Sequence, residues 1–362
     1  MGAPKRPSLR LVARSQNDHS TLSKVTVQTV RYKTEKRGRL SDVPERRWQS
    51  LAQKLEDQWL QPTSAQGTAG VLGWASIWGS VIMVVSTMDV TASLNAAIQG
   101  GYVARLTEET YAISSPIVIR VTKTTQGALG IDGGGATLVS QVTDGSPLIK
   151  IVVDPGVDFR YLTLSNFKIE GNGREGSGIQ IVADGNDRWV YSWNIDNVTV
   201  ENTGGYGLDV RGSVFEGLVS NSWMNGNALG GAYFGHSSGG GQASALRWFG
   251  GGFTDNGGAG LTLGNGARDM SVDNALFRDN DGVGISAGSG ITSVTGSHFQ
   301  DNQGPGVWFQ NYGNFNGNTF STSGSQTVGI SGYLAGGATL VDNASTYTGP
   351  GADTIALANL QG

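Results

Sequence analysis

"FTDNGGAGLTL" (residues 253–263), "FRDNDGVGISA" (277–287) and "FQDNQGPGVWF" (299–309) are three near copies of one eleven-residue phrase. Their phenylalanines, Phe253, Phe277 and Phe299, recur after 24 and then 22 residues. A repeat in that range marks a solenoid, with one coil per repeat. Weaker copies extend the series: "VENTGGYGLDV" (200–210), "WMNGNALGGAYF" (223–234), "FSTSGSQTVGIS" (320–331) and "YTGPGADTIAL" (347–357). The gaps before Val200 and Phe253 approach thirty residues, as expected where loops bulge from some coils.

The end of the phrase alternates apolar and variable residues, giving the pairs Ile179/Ile181, Leu208/Val210, Ala232/Phe234, Leu261/Leu263, Val307/Phe309 and Ile355/Leu357. Period-two alternation places these on the buried face of a short strand. Gln180, Asp209, Tyr233, Thr262, Ser286 and Trp308 then point outward. Asn202, Asn256, Asn280 and Asn302 precede the glycine clusters. They are expected at corners, where Asn and Gly tolerate a left-handed backbone, and stacked amides there can form a hydrogen-bonded ladder. Parallel strands ordinarily need a long crossover. Here the coil itself is the crossover, and the fold class is all-β: a parallel β-helix of roughly eight to ten coils, with strands about 4.8 Å apart.

Composition agrees. The chain has 57 glycines in 362 residues without the strict triplet of collagen. It has no cysteine, which excludes disulfides and thiolate metal sites. Charge is divided: residues 1–62 hold 13 Lys/Arg against 6 Asp/Glu, residues 63–362 hold 12 against 23, and no lysine follows Lys168. Residues 1–62 therefore read as a basic amino-terminal extension, with "KVTVQTVRY" (24–32) as one candidate strand. Ser41 to Leu60 reads as a helix, with Trp48, Leu51, Leu55 and Trp59 on one stripe. Residues 63–88 form an apolar connecting segment. Its stretch 71–88 approaches a membrane span in length and is a candidate anchor, but its "VIMVV" suits buried strands equally well. No ordinary signal peptide opens the chain.

Residues 89–362 read as the β-helix domain. "MDVTASLNAAIQGG" (88–101) puts Val90, Leu94, Ala97 and Ile98 on one helical face and ends on glycines. "YVARL" (102–106), "TYAISSPIVI" (110–119) and "LGIDGGGATL" (129–138) follow as short strands. This order resembles the amino-terminal end of the pectate-lyase-like β-helix superfamily, in which a helix caps a right-handed column ahead of such strands. The resemblance implies a single-stranded right-handed parallel β-helix with a capping helix. It also implies a polysaccharide partner lying along the outward face, and an extracellular or cell-surface location. It does not fix an activity, since that superfamily holds lyases, epimerases, glycosidases, tailspikes and inactive scaffolds. No cofactor, metal or nucleic acid is expected.

Lys168, Gln180, Arg188, Asp209, Arg211, Tyr233 and His236 fall in consecutive coils and are candidate site residues. "GYGLDVRG" (205–212) is similar to the Tyr-Gly-Phe-Asp-Pro-His-Glu segment of mannuronan C5-epimerases. That similarity implies an acid/base role for Tyr206 and substrate positioning for Asp209. Val210, Arg211 and Gly212 replace Pro-His-Glu, so the family histidine is missing. His236, one coil later, can move a proton at neutral pH in its place, and Arg211 can neutralise a uronate carboxylate. The catalytic candidates are thus Tyr206, Asp209, Arg211 and His236, and the substrate-binding candidates are Lys168, Gln180, Arg188, Tyr233 and Trp308. Aromatic residues such as Tyr233, Trp308 and Tyr312 can stack on sugar rings. His298 points outward on a different sheet. Lyase or epimerase chemistry ranks ahead of hydrolysis, because Asp184, Asp187 and Asp209 show no spacing that singles out a carboxylate pair. The alternative is a non-catalytic carbohydrate-binding, tailspike- or adhesin-like β-helix.

Overall fold

Each repeat forms one coil. In the coil that opens at Leu246, the chain runs through strands Leu246–Phe249, Gly252–Thr254 and Leu261–Leu263 before the next coil starts at Met270. Each strand pairs in parallel with its equivalent one coil on: Phe253 faces Phe277 and Phe277 faces Phe299 in register. A computed structural model describes residues 89–347 apart from 100–102, 123–127, 186, 237–239, 289–290, 292, 311, 324–328 and 334–337. It also describes strands Trp74–Ala75, Val81–Met83 and Asn359–Gln361. The expected strand at 24–32, the helix at 41–60 and the pair Ile355/Leu357 lie outside the described residues.

Among the described residues three sheets line the column. A ten-stranded parallel sheet runs from Ile117–Val121 to Asn359–Gln361, a nineteen-stranded sheet supplies two further faces, and a four-stranded sheet joins Val157–Arg160, Arg188–Tyr191, Val214–Phe215 and Ala243–Ser244. The extra residues of the longer coils therefore build part of a fourth face. The expected bulging loops are in part short strands, because a backbone that stays paired between coils leaves no buried N–H or C=O without a partner.

The inward residues are as the alternation requires. Ile179, Ile181, Leu208, Val210, Ala232, Phe234, Leu261, Leu263, Val307 and Phe309 are all buried. Phe253, Phe277, Phe299 and Phe320 form one stack, with ring centroids 4.7, 4.8 and 4.9 Å apart, and Trp248 lies 4.3 Å from Phe253. Those separations are the strand spacing itself.

The corners divide between two adjacent residues the turn and the ladder that were both expected of the corner asparagines. Asp255, Asp279 and Asp301 take the left-handed conformation, with φ of 56°, 54° and 51°. The residue that follows each, Asn256, Asn280 or Asn302, turns inward and is buried. Only Asn202 of the four expected corner asparagines has a left-handed backbone. The inward amides form the expected ladder: Asn227 Nδ2 donates to Asn256 Oδ1 (3.0 Å), Asn256 to Asn280 (2.8 Å) and Asn280 to Asn302 (2.8 Å). Each also donates to a carbonyl of the preceding coil, as Asn280 does to Phe253 O at 3.1 Å. A second ladder joins Ser297 N to Asn318 Oδ1 and Asn318 Nδ2 to Asn343 Oδ1.

The amino end is closed by α1, Thr91–Gln99, with Val90, Leu94, Ala97 and Ile98 buried as expected. Asp89 Oδ1 accepts from Thr91 N at 2.9 Å, satisfying a free N–H of the first turn. Asn95 Oδ1 accepts from Val118 N at 2.6 Å, so the helix covers the edge strand of the ten-stranded sheet. Within 71–88 the described residues are strands: Trp74–Ala75 pairs antiparallel with Val81–Met83, which pairs in parallel with Val103–Arg105. No helix among the described residues is long and apolar enough to cross a membrane.

Two predictions follow from the stacked interior and the corner. Phe277→Ala opens a cavity between two rings that cannot close up, and should cost about 3–5 kcal/mol in denaturant unfolding. A change near zero would mean that the stack is not the core. Asp279 is raised above the ordinary carboxylate range, first by burial and then by the charges of Asp255 and Asp301, against the opposing effect of Arg278. A carboxyl raised in the folded state supports the fold when protonated and loses that support as pH rises through its folded pKa. Asp279→Asn keeps the shape and the tolerance of a left-handed backbone. It should therefore raise the melting temperature at neutral pH and leave it nearly unchanged in acid, where Asp279 is neutral in both states; an equal effect at both pH values would exclude a charge origin.

Candidate functional site

Strand Tyr206–Gly212 lies in the ten-stranded sheet between Ile179–Ala183 and Gly230–Gly235. Register aligns Lys150, Gln180, Asp209, Tyr233, Thr262, Ser286 and Trp308 into one outward row along the column. Beside it run Val152, Val182, Arg211 and Gly235. Gln180, Asp209, Arg211 and Tyr233 are thus neighbours because parallel pairing brings equivalent positions of successive coils together.

Asp209 faces outward but is only 2% exposed, covered by its neighbours' side chains. Gln180 Nε2 donates to its Oδ2 at 2.9 Å, and Arg211 Nε donates to its Oδ1 at 2.7 Å. Both oxygens of a buried charge are therefore engaged, as desolvation demands. Arg211 keeps 41% of its side chain exposed, with its guanidinium 5.0 Å from the centre of the Tyr233 ring. The Tyr206 ring lies 5.4 Å from Tyr233 on the same patch.

The titration of these groups follows from the packing. Burial pushes the Tyr206 phenol up, and the charge of Asp209 and the neighbouring Tyr233 push the same way while Arg211 opposes. Tyr206 consequently holds its proton at neutral pH more firmly than a free tyrosine does. Burial works against the Arg211 charge, but the hydrogen bond and charge of Asp209 outweigh it. The site thus offers a cation fixed in direction by a buried carboxylate, beside a phenol that holds its proton and a second aromatic ring.

Other expected site residues are distributed more widely. His236 follows Gly235, the register partner of Arg211, and its ring is seated over Gly266: a methyl group there would lie 2.7 Å from His236 Cε1. Its side chain has no described contact with Tyr206, Asp209 or Arg211. Lys168 belongs to the nineteen-stranded sheet and pairs with Glu201 at 2.7 Å. Arg188 belongs to the four-stranded sheet, 3.3 Å from Asp187. Nearness in sequence misleads for both, since one coil turns through every face of the column. Trp308 is on the same row as Tyr233, three coils away. His298 lies on the nineteen-stranded sheet, its Nε2 2.9 Å from Ser321 Oγ, and burial pushes its pKa down.

Lys150 is the residue missed in the sequence. It shares the row of Gln180 and Asp209, and no ion pair engages it among the described residues. Aligning "IKIVV" (149–153) with "IQIVA" (179–183) would have found it. Among the described residues no group of three or more His, Asp or Glu is placed to hold a metal ion.

The family described as "Right handed beta helix region" matches residues 151–345. No curated protein sequence matches the chain. Among solved structures, the Azotobacter vinelandii mannuronan C-5 epimerase AlgE4 A-module is 18% identical, covering 75% of this chain and 93% of its own, with a TM-score of 0.37. An alginate lyase from Paenibacillus sp. str. FPU-7 is 17% identical over 73% of this chain and 99% of its own, with a TM-score of 0.46. ORF18 of Geobacillus virus E2 is 15% identical over 72% of this chain and 57% of its own, with a TM-score of 0.48.

Asp209→Ala should leave the Gln180 amide and the Arg211 Nε without their acceptor. The expected loss is about 1–3 kcal/mol in urea unfolding. An unchanged midpoint would show that water replaces the carboxylate at no cost.

Proposed function

The chain belongs to the right-handed β-helix family, and we propose that it acts on an acidic polysaccharide held against the outward face of the ten-stranded sheet. The observation that carries this reading is the buried Asp209 carboxylate holding Arg211 at 2.7 Å, next to the protonated Tyr206 and the Tyr233 ring. Anchoring by Asp209 removes much of the conformational freedom of Arg211 before any ligand arrives, so its exposed edge is pre-organised for a planar carboxylate. The sugar ring would rest against Tyr233 through its apolar face. A polymer of this kind implies an extracellular or cell-surface setting.

The chemistry these groups support best is lyase or epimerase chemistry. Arg211 neutralises the uronate carboxylate, which makes the C5 proton more acidic. His236, in the neighbouring coil, takes that proton. In the lyase course the electron pair forms the C4=C5 double bond, the C4–O bond breaks, and Tyr206 gives its proton to the departing glycosidic oxygen. In the epimerase course Tyr206 instead protonates C5 from the opposite face. Proton exchange with water then restores both residues. A second reading, binding without catalysis, is favoured by two observations: His236 is seated on Gly266, and both oxygens of Asp209 are already engaged.

The test is incubation with alginate and pectin, following unsaturated products by absorbance and C5 inversion by NMR in deuterated water. Arg211→Ala should lower turnover by roughly 100-fold, about 3 kcal/mol of transition-state stabilisation, in protein whose circular dichroism is unchanged. Arg211→Lys should rescue poorly, since an ammonium lacks the two-pronged contact. Full activity in both variants would remove Arg211 from the reaction. No conversion by the unaltered protein, with Arg211-dependent retardation in a polyuronate gel, would select the binding reading.

A further inference from the structure

The asparagine ladder ends inside the coil that carries the site. In the ladder each inward Oδ1 accepts from the backbone N–H one coil earlier, as Asn227 Oδ1 does from Thr203 N at 3.2 Å. Thr203 stands where another asparagine would continue the series, and its hydroxyl donates to the same Asn227 Oδ1 at 2.8 Å. The next N–H in line, that of Asn172, is received instead by Glu175 Oε2 at 3.1 Å. Glu175 is 2% exposed, and Ser140 Oγ donates to the same oxygen at 3.1 Å. The Asn172 amide donates in turn to Ser140 O and Val142 O, at 3.1 and 3.0 Å. One carboxyl therefore ties the turn 171–178 to the coil before it.

The second oxygen of Glu175, Oε1, is buried with no hydrogen-bond partner among the described residues. It faces Gly171 together with Asn202 O: a methyl group on that glycine would collide with Oε1 and lie 2.6 Å from the carbonyl oxygen. A bare oxygen on a buried carboxyl costs stability that a neutral amide would not.

The turn that Glu175 holds is the seat of Tyr206. Ser177 Oγ accepts from Tyr206 N at 3.2 Å, Gly176 O accepts from Gly205 N at 2.9 Å, and Gly178 N donates to Tyr206 O at 2.9 Å. A methyl group on Gly204 would collide with Glu175 O, and one on Gly205 would lie 2.6 Å from Ser177 N, so the two turns touch backbone to backbone. On its other side the Tyr206 ring lies over Gly230, where a methyl group would be 3.2 Å from Cε1.

We propose that Glu175 is a positioning residue for Tyr206, fixing through the turn 171–178 the backbone from which the phenol is presented beside Arg211 and Tyr233. The proposal rests on the assignment of proton transfer to Tyr206 and adds to it a residue that touches no substrate. Glu175 acts through hydrogen bonds, so an amide of the same length serves as well. In Glu175→Gln the side-chain oxygen can accept from Asn172 N and Ser140 Oγ while the nitrogen donates to Asn202 O.

The test is nitration of the folded protein by tetranitromethane, which attacks phenolate, in mildly alkaline buffer, with the rates at Tyr206 and Tyr161 read separately by peptide mass. Tyr161 is 60% exposed and reports on the reagent and on global opening. Glu175→Ala should speed nitration of Tyr206 roughly 10-fold, because a phenol that gains water ionises more readily, and leave Tyr161 unchanged. Ser177→Ala, which removes only the acceptor of Tyr206 N, should act in the same direction, and it decides the matter if Glu175→Ala does not fold. Glu175→Gln should keep the rate of the unaltered protein. Equal acceleration at both tyrosines would assign Glu175 to general stability and overturn the positioning role. An unchanged Tyr206 rate in the deciding variant, or acceleration in Glu175→Gln equal to that in Glu175→Ala, would overturn it too. Turnover of alginate or pectin is a separate arm, in which Glu175→Ala should lower kcat roughly 10-fold with KM unchanged. A protein that converts neither polymer removes the reaction, and the nitration rates still decide whether Glu175 seats Tyr206.

Discussion

Every coil must sit one strand spacing above the last, in register, and the interior enforces this. The phenylalanine rings stack at 4.7–4.9 Å and the asparagine amides bridge successive coils at 2.8–3.0 Å, both commensurate with the strands. A slip by one residue would expose the rings and leave buried amides unsatisfied, each a cost the fold cannot recover elsewhere. Register is therefore fixed from inside. Because it is fixed, outward residues fall into straight rows, and residues some thirty positions apart become neighbours.

The candidate site is a product of that alignment. On an isolated strand Asp209 would be a solvated carboxylate two residues from an arginine. In the sheet it sits between Gln180 and Tyr233, loses its water, and turns from a surface charge into a fixed acceptor for Gln180 and Arg211. The same loss of water pushes the Tyr206 phenol further up. The fixed direction of Arg211 and the raised Tyr206 phenol thus have one physical origin, the crowding of five side chains from three consecutive strands.

Some residues were legible because their role depends only on local spacing. Phe253, Phe277 and Phe299 could be assigned to the interior from their period, and Val90, Leu94, Ala97 and Ile98 to one face of a helix. The asparagines were half legible. Their ladder was readable from repetition, but the left-handed turn belongs to the preceding aspartates, and "DN" alone does not say which of two adjacent residues bends the chain. Lys168 and Arg188 illustrate the opposite limit: they are close to Gln180 in sequence yet lie on other sheets, since one coil visits every face.

The sequence by itself determined the coil, its inward stripe, its corner chemistry and the capping helix, because period and residue type act through contacts within one repeat. The tertiary structure alone decided which outward residues meet. That depends on the number of residues each coil spends at its corners, which varies from coil to coil, and so on a register summed over the whole column. Lys150 joined the row, Lys168 left it, and Asp209 became buried by that summation.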